Sequence, residues 1–418
     1  MIDDPLFQPL ILPNGAVIKN RIAKASMEEN LADVNQAPGE ALWRMYRGWA
    51  EGGAGLILTG NVMIDGRYMT GPGGVVVEDR ANLPALRKWA EAGRSTGAQF
   101  WMQINHPGRQ MMASLKQQPM APSAVALELG RFSKLFVMPR EMTRRDIDEV
   151  AARYVETALI AEEAGFSGVQ IHAAHGYLLS QFLSPLTNRR TDKWGGSPEN
   201  RARLLIEIVR LVRSSVQPSF CVAVKLNSAD FQRGGFGKDD AIAVVRQLNE
   251  LGVDLVEISG GSYESPAMQG RAGDERTMAR EAYFLDFARE IITVARMPVM
   301  LTGGIRRKKV AQTAITDGIA MVGLATALAI RPDLPNAWAR GEDIEITAPA
   351  VRWRSKPLAS LAVQSVVKTQ MLRLAEGRAP RHCVSPALAL IQTQIRQSRR
   401  TRQYVAWVEK RPSQGAGR

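Results

Sequence analysis

The sequence is poor in cysteine and histidine and contains no long apolar run. Cys221 and Cys383 are its only cysteines in 418 residues, so at most one disulfide is possible. Neither lies in a C-x-x-C pair, which argues against zinc or iron–sulfur ligation and favours a reducing, cytoplasmic location. No apolar run reaches the ~18 residues of a membrane span, and the start, MIDDPLFQPL, lacks the apolar core of a signal peptide. We therefore expect a globular protein without a membrane partner.

Acidic residues are scarce in one region only, the C-terminal segment. Residues 351–418 hold 14 Lys/Arg against 2 Asp/Glu, whereas residues 1–350 hold 40 against 39, so +12 of the net charge of +13 belongs to this segment. A basic segment can contact an anionic partner or a neighbouring subunit. It lacks the interleaved aromatic residues of a single-strand binder, so nucleic acid is not favoured. A solvated basic face and a homo-oligomer are the expectations.

Eight short apolar runs alternate with helical patterns along the chain. The predicted strands are Arg21–Ala25, Gly55–Thr59, Gln99–Ile104, Gly168–His172, Phe220–Leu226, Leu255–Ser259, Pro298–Thr302 and Ile319–Val322. Continuous alternation of this kind predicts a (β/α)8 TIM barrel. An open doubly wound sheet is the alternative, although no G-x-G-x-x-G follows the first strand.

Helical patterns and turn signals fill the stretches between these strands. The predicted helices are Ala81–Thr96, Asp146–Ala164, one opened by Ser197-Pro198, Asp239–Leu251, Ala282–Ala295, Lys308–Thr316, Leu358–Ala375 and Leu388–Gln397. Pro13, Asn14 and Gly15 predict an N-terminal hairpin, and the long connection after the third strand, residues 105–142, is expected to be functional. We expect the barrel to span residues 1–345 and a basic extension 346–418, with a polar end from Arg396 and flexible last residues.

Polar residues and glycines follow the predicted strands, at the end where barrel enzymes keep their chemistry. In chain order they are Ser26, Met27 and Glu28; Gly60; Gln103 and His106; His172, His175 and Tyr177; Lys225; Ser259, Gly260 and Gly261; Gly303 and Gly304; and Gly323. Glycines after the last two strands are typical of a phosphate site made by backbone N–H groups. The set suits a flat, phosphorylated cofactor with an oxygen-bearing substrate above it.

Four runs of residues carry a family resemblance. They are KNRIAKASM (19–27), MQINHPGRQ (102–110), IHAAHGYLLSQFLSPLTNRRTDKWGGSPENRARLL (171–205) and TGGI (302–305). These runs resemble the old yellow enzyme family of FMN-dependent NAD(P)H:flavin oxidoreductases and ene-reductases, over roughly residues 5–340. The resemblance implies FMN as cofactor, NAD(P)H as reductant, and an activated C=C bond or another acceptor as substrate.

The resemblance also implies roles for individual residues. The residues implied for FMN are Ala25, Ser26, Met27, Gly60, Gln103, Lys225, Gly303, Gly304, Gly323 and Leu324. His172 and His175 would hold the substrate oxygen, and Tyr177 would protonate the α-carbon, since a phenol with an ordinary pKa is protonated at neutral pH. From the residues alone, His172 and His175 could be a satisfied polar pair, or a metal pair, although a third nearby ligand is missing and no metal is expected. His106 and Arg109 are expected to anchor the long loop.

Three positions depart from the family pattern. Glu28 stands where Thr or Cys is usual above the flavin, so we hypothesise that it lowers the flavin potential, or is itself protonated or turned away. Lys225 replaces an Arg, and Gly323 is followed by Leu324, Ala325 and Thr326 rather than by a phosphate-binding Arg; Arg306 and Arg307 could substitute. Two other functions stay open: a Schiff-base lyase using Lys225, and a flavin-poor relative acting through its basic C-terminal arm.

Overall fold

Eight parallel strands close into a barrel in the computed structural model, which describes residues 4–267, 281–381 and 383–411. The barrel strands, numbered here from first to eighth, are Ile22–Lys24, Leu56–Leu58, Gln99–Asn105, Gly168–Ala173, Cys221–Asn227, Leu255–Ser259, Val299–Thr302 and Met321–Leu324. Each strand pairs with its neighbour in chain order, and the eighth pairs with the first. The predicted (β/α)8 barrel and all eight of its strands are confirmed.

The predicted N-terminal hairpin is confirmed, and it closes the amino-terminal end of the barrel. Leu10–Ile11 pairs antiparallel with Val17–Ile18, and the Asn14 amide in the turn donates to Ser219 O at 3.2 Å, just before the fifth strand. Buried side chains of the hairpin pack with those lining the barrel interior, including Leu56 and Trp101. The opposite, carboxyl end is therefore the end left for a site.

Helices lie outside the barrel between successive strands. Their bounds are Glu40–Glu51, Leu83–Arg94, Arg144–Glu163, Leu178–Leu183, Pro198–Ser215, Lys238–Leu248, Leu285–Ile292, Lys308–Thr316, Thr326–Ile330 and Leu334–Ala339. Short 3-10 helices lie at Pro5–Phe7, Ala113–Leu115 and Gly130–Leu135. Ser197 caps its helix as predicted, by accepting from Asn200 N. The helix Glu40–Glu51 was not predicted, and it buries Leu42, Met45, Tyr46 and Trp49 on one face.

The long connection after the third barrel strand is ordered by contacts with the rest of the molecule. Its short strand Met120–Ala121 pairs with Arg140–Glu141. In the preceding loop, between the second and third barrel strands, Val62–Met63 pairs with Val75–Val76 and with the third strand. Arg109 donates to Ala126 O at 2.6 Å and to a Glu264 carboxylate oxygen at 2.5 Å. The predicted anchoring role of Arg109 is therefore confirmed.

Two long helices, Lys356–Ala375 and Pro386–Glu409, complete the described chain. The first confirms its predicted position; the second continues well beyond the predicted end at Gln397, so the polar and basic residues from Arg396 to Glu409 are helical. Tyr404 is fully buried, and its hydroxyl donates to Gly66 O at 3.0 Å. Tertiary contacts of this kind keep a basic sequence helical where its own pattern predicts little.

The helix Pro386–Glu409, called the terminal helix below, rests on loops at the carboxyl end of the barrel. Arg400 donates to Ala32 O at 2.7 Å in the loop after the first strand, and Arg411 pairs with Glu78. The predicted flexible last residues, 412–418, lie outside the described residues, and the division at residue 345 stays a prediction. No helix in the described ranges is long and apolar enough to span a membrane.

Candidate active site

Two histidines and a tyrosine meet where the fourth barrel strand ends. The ring centroid of His172 lies 5.0 Å from that of His175 and 5.0 Å from that of Tyr177, with nearly perpendicular planes. The chain turns sharply here through two left-handed residues, His175 (φ 61°) and Gly176 (φ 72°). Only glycine adopts the left-handed conformation without an energetic cost, so the surrounding structure must hold His175 in it. The turn brings three chemically active side chains to one point.

The two histidines are neutral at physiological pH. Burial, together with the positive charge of Lys225, holds the pKa of both imidazoles well below the usual range. His172 Nδ1 accepts from Ala174 N at 3.2 Å, so the proton of the neutral ring lies on Nε2. His175 Nε2 lies 2.8 Å from Ser259 Oγ. Within the described residues His172 Nε2 makes no hydrogen bond to protein, which leaves an N–H donor available.

Tyr177 lies in a polar pair with a second tyrosine. Its hydroxyl is 3.2 Å from the Tyr263 hydroxyl and accepts from Asn61 Nδ2 at 3.4 Å. Burial, with the neighbouring Tyr263 and Glu28, raises the pKa of Tyr177 well above its ordinary value. Tyr177 is therefore a protonated phenol throughout the physiological range. Asn61 Oδ1 is buried without a protein partner in the described structure, so an acceptor faces the same space.

A chain of buried hydrogen bonds crosses the floor of the barrel mouth. The Ser26 hydroxyl donates to Gln103 Oε1 and Gln103 Nε2 donates to Gln170 Oε1, both at 2.7 Å. Gln170 Nε2 then donates to one Glu257 oxygen at 2.7 Å, and Lys225 Nζ donates to the other at 2.6 Å. Five side chains from the first, third, fourth, fifth and sixth strands are thereby held in fixed orientations. The positive charge of Lys225 is balanced by Glu257.

A second buried network supports Gly60 after the second strand. Gly60 N donates to Glu29 Oε1 at 3.0 Å and to the Tyr46 hydroxyl at 2.9 Å, and Tyr46 also bonds Glu29. Lys24 is fully buried and donates to Leu58 O at 2.8 Å; burial lowers its pKa to about 8, despite Glu29 at 3.8 Å. A side chain at residue 60 would collide with the Glu29 carboxylate and Met27 O. Glycine is therefore required there.

Glu28 is turned toward the loop that follows the second strand. Its carboxylate accepts from the Thr70 hydroxyl, and its charge is close enough to Tyr177 and Tyr263 to raise the pKa of both. This agrees with the hypothesis that the carboxylate is turned aside by a partner. Its effect on a flavin stays a prediction.

The ends of the seventh and eighth strands have a different character. Tyr283 and Phe284 pack against Gly303 and Gly304, and Gly323 faces the Thr302 hydroxyl so closely that a side chain there would collide with it. The Leu324 side chain is fully buried, and Leu324 O accepts from Ala25 N at 3.0 Å. Thr302 Oγ1, at the end of the seventh strand, is buried and lacks a protein partner in the described ranges, as does Ser228 Oγ, which follows the fifth strand. Such orphaned hydroxyls are suited to a polar ligand.

Arg306 and Arg307 are committed to a carboxylate rather than free for an anion. Glu281 accepts from Arg306 N at 2.9 Å, from Arg307 N at 3.1 Å and from Arg307 Nε at 2.9 Å. Two lysines follow Arg307 directly. Lys308 donates to Trp338 O at 2.8 Å, and Lys309 is exposed on the helix Lys308–Thr316. The substitution by Arg306 or Arg307 that the sequence left open is therefore not supported.

Two parts of the barrel mouth can now be named. The histidine side holds the ends of the third to sixth strands with Ser26, and the structure joins its predicted residues by contacts. The glycine side holds the ends of the seventh and eighth strands. The structure gives no contact that joins Gly303 or Gly304 to the histidines.

Sequence reasoning missed several polar residues of the histidine side. Gln170 and Glu257 were visible as single polar residues inside apolar runs, GVQIH and LVEIS, and a buried polar side chain needs a partner. Glu29 and Tyr46 gave no such signal, because their pairing joins a loop to a helix. Tyr263 lies on a loop after the sixth strand, where no periodicity predicts the direction of a side chain.

Comparison with known proteins identifies the family. The NADH:flavin oxidoreductase / NADH oxidase family matches residues 5–344. The "NADH-dependent flavin oxidoreductase iliE" of Neonectria sp. is 39% identical over 355 residues, covering 78% of this chain but 46% of that protein. The protein of the same name from Hypocrea jecorina is 37% identical, covering 78% of this chain and 87% of that protein. The chain thus spans about half of one relative and most of the other.

A solved structure agrees with this assignment. The old yellow enzyme homologue from Zymomonas mobilis superposes with a TM-score of 0.71 at 25% identity, over 82% of this chain and 94% of that one. The chain belongs to the NADH:flavin oxidoreductase / NADH oxidase family, which is the old yellow enzyme family and binds FMN.

The residues at the barrel mouth fit FMN unequally. On the histidine side, the Ser26 hydroxyl and the Gln103 amide supply donors and acceptors for the edge of a flat ring. On the glycine side, the orphaned Thr302 hydroxyl suits a polar chain and phosphate, but the charged partner that a phosphate usually receives is missing among the described residues. The residues of the barrel mouth therefore fit the group.

Proposed function

We propose that the protein is an FMN-dependent oxidoreductase in which NAD(P)H supplies a hydride and an activated, enone-type C=C bond accepts it. FMN, when bound, provides the hydride carrier between the two substrates. The observation that carries this proposal is the donor at His172 Nε2, which lacks a protein partner in the described residues and lies beside the protonated Tyr177.

His172 and His175 are assigned to hold the substrate oxygen. Because both imidazoles are neutral, His172 donates through Nε2–H without carrying a charge that would demand a counterion. His175 can join it by exchanging the contact that its Nε2 makes with Ser259. Hydrogen bonds to the carbonyl oxygen favour the negative charge that develops there when the β-carbon accepts hydride.

Tyr177 is assigned to deliver a proton to the α-carbon. Its raised pKa keeps the proton in place until a strongly basic, enolate-like carbon forms, and a proton then moves from the hydroxyl oxygen to that carbon. Tyr263, 3.2 Å away, is positioned to replace the lost proton. One hydride and one proton together saturate the double bond, so the reaction balances.

The proposal is tested with the purified protein under anaerobic conditions. FMN bound to the protein should lose its absorbance when NADH or NADPH is added and regain it when 2-cyclohexenone is added, with cyclohexanone as product. Reduction by NADH without reoxidation by any enone, but with reoxidation by oxygen, would contradict the proposed acceptor while leaving the flavin chemistry intact.

The Schiff-base alternative receives no support from the environment of Lys225. Its Nζ is 2.6 Å from Glu257 and is engaged in an ion pair, whereas an amine that attacks a carbonyl must be free to do so. Borohydride trapping of a carbonyl compound on Lys225 would revive it. The alternative of a basic arm acting alone is also unsupported, because Arg400 and Tyr404 dock the terminal helix on the barrel.

A further inference from the structure

A groove rich in arginine lies between the two C-terminal helices, away from the barrel mouth residues. It has a volume of about 530 Å3 and is formed by the end of the helix Lys356–Ala375, the connection that follows, and the first half of the terminal helix. This volume lies within the range of pockets that bind small organic molecules. Neither the family nor the proposed reaction assigns a role to it.

The groove concentrates positive charge that the protein does not neutralise. The arginines that line it are Arg373, Arg378, Arg381, Arg396 and Arg399. The one acidic residue in its lining, Glu376, pairs with Arg378, and the five positive charges against one negative leave a net of +4. No ion pair within the described residues involves the other four arginines. Loss of hydration, together with the charges of Arg381 and Arg378, lowers the pKa of Arg373, which shows that these guanidinium groups repel one another.

Hydrogen bonds within the protein fix the shape of the groove. Gln370, whose side chain is buried, clamps the connection from both directions: its Nε2 donates to Arg381 O at 2.7 Å and its Oε1 accepts from Arg381 N at 2.9 Å. Arg373 Nε donates to Ala379 O at 2.7 Å, which fixes the base of its guanidinium. Two arginines and the turn between the helices are thereby held before any ligand arrives, which lowers the entropy cost of binding.

Aliphatic side chains occupy the same groove. Leu388 and Ile395 line it and remain 54% and 51% exposed. Large apolar side chains with this exposure, set among guanidinium groups, mark a surface suited to a ligand. A purely inorganic anion would pair with the arginines and leave these two side chains in water.

We propose that this groove binds a small organic anion that carries a phosphate or carboxylate group attached to an apolar portion. The planar guanidinium groups bind the oxygens of such a group in pairs, and the apolar portion covers Leu388 and Ile395. Both halves of the ligand are then matched by a neighbouring part of the groove. The proposal does not depend on the flavin chemistry of the barrel.

Calorimetric titration of the FMN-saturated, full-length protein with 1-naphthyl phosphate tests this directly. We expect one site, with affinity about tenfold higher than for inorganic phosphate because a naphthyl ring buries apolar surface. The double variant Arg381→Gln and Arg396→Gln should bind about tenfold more weakly through loss of charge-assisted hydrogen bonds. Arg402→Gln is the matched control, because this exposed arginine of the same helix does not line the groove. Equal weakening in the control would overturn the proposal in favour of a general charge effect.

Cys383 reports on the groove itself. It lines the groove and is exposed, whereas Cys221 is buried, so a neutral reagent such as iodoacetamide should modify Cys383 first. With 1-naphthyl phosphate at ten times its dissociation constant, alkylation should slow about tenfold, since the rate follows the unoccupied fraction. 1-Naphthol should not protect. Binding without protection of Cys383 would place the ligand elsewhere and overturn the proposal, as would the absence of binding in a protein that retains its melting temperature.

Discussion

The histidine side and the glycine side of the barrel mouth differ in how their polar groups are satisfied. On the histidine side, Ser26 and Lys225 are joined through three intervening side chains, with each bond between 2.6 and 2.7 Å. On the glycine side, Thr302 Oγ1 has no hydrogen-bond partner in the part of the chain that the structure describes, and Arg307 is bound to Glu281. The five linked side chains of the histidine side are oriented without a ligand and leave His172 Nε2 as a free donor, whereas the Thr302 hydroxyl on the glycine side stays unpaired in the described residues. The orientation of the polar groups on the histidine side is therefore built into the protein.

His172→Ala should produce the largest effect, because it removes the free donor of the histidine side. We expect the rate of enone reduction by the reduced protein to fall by about a thousandfold, in line with the loss of an oxyanion donor. Stopped-flow spectroscopy of the oxidative half-reaction measures it. Reduction by NADH and the FMN content serve as internal controls, and a loss smaller than about threefold would remove His172 from the proposed mechanism.

Tyr177→Phe should come next, with a loss of about a hundredfold in the same step, because a general acid is removed while the ring packing is kept. Reoxidation by ferricyanide, which requires no proton at carbon, should be unchanged. The matched variant Tyr263→Phe should lose much less, since Tyr263 acts through Tyr177. Equal losses in the two variants would mean that the tyrosines shape the pocket rather than supply the proton.

Thr326→Arg should make the glycine side bind the FMN phosphate more tightly, because it adds a cation beside the eighth strand. FMN affinity should rise by about tenfold from a charge-assisted contact with the phosphate, while riboflavin affinity stays the same. Fluorescence titration of the apoprotein with each flavin measures this. Thr316→Arg, at an exposed position ending the helix Lys308–Thr316, is the control for added charge. If riboflavin affinity rose equally, the phosphate would not be the group contacted.

Glu28→Gln should shift the reduction potential of bound FMN upward by about 30 mV, since removal of a nearby negative charge worth ~1.4 kcal/mol shifts a two-electron couple by that amount. A spectroscopic redox titration provides the value. Thr70→Val, which removes the hydroxyl that holds the carboxylate, should move the potential in the opposite direction or leave it in place. An unchanged potential in Glu28→Gln would refute the influence of this residue.

The smallest effect is expected from pH. The pKa of His172 is lowered, so the imidazole is already neutral above mildly acid pH; the pKa of Tyr177 is raised, so the phenol stays protonated into alkaline solution. The rate of the oxidative half-reaction should therefore be flat between about pH 6 and 9, with no inflection at the ordinary histidine pKa of ~6.5. A step near that value would mean that one of the histidines is exposed to water and ionises.

The barrel and its strand ends could be predicted because each buried parallel strand appears in the sequence as a continuous apolar run that is followed by a polar residue or glycine. His172, His175 and Tyr177 lie within six residues, so one turn brings them together. The helix Glu40–Glu51 was overlooked although Leu42, Met45, Tyr46 and Trp49 carry a clear helical period. The terminal helix could not be bounded, because Tyr404 becomes apolar core only through contacts with a loop more than 300 residues earlier.

The sequence also does not reveal which charged residues form ion pairs with each other. Whether Lys225 stands alone or is matched by Glu257 depends on the pairing of neighbouring strands, where the two residues are in register. Arg306 and Arg307 looked available for an anion, yet a carboxylate 25 residues earlier takes both of their backbone N–H groups. Counting charges along the sequence therefore shows where charged side chains lie but not which opposite charge each one pairs with.

The docking of Arg400, Tyr404 and Arg411 has a consequence for the order of events during synthesis. All eight barrel strands have been translated once residue 324 emerges from the ribosome, so the sheet can close while the rest of the chain is still being made. The loops around Ala32, Gly66 and Glu78 receive their final contacts only when residues 400–411 follow. During synthesis, the barrel can therefore be closed for some seconds before the loops around its mouth reach their final positions. A tag or fusion placed after Arg411 would lie next to these loops.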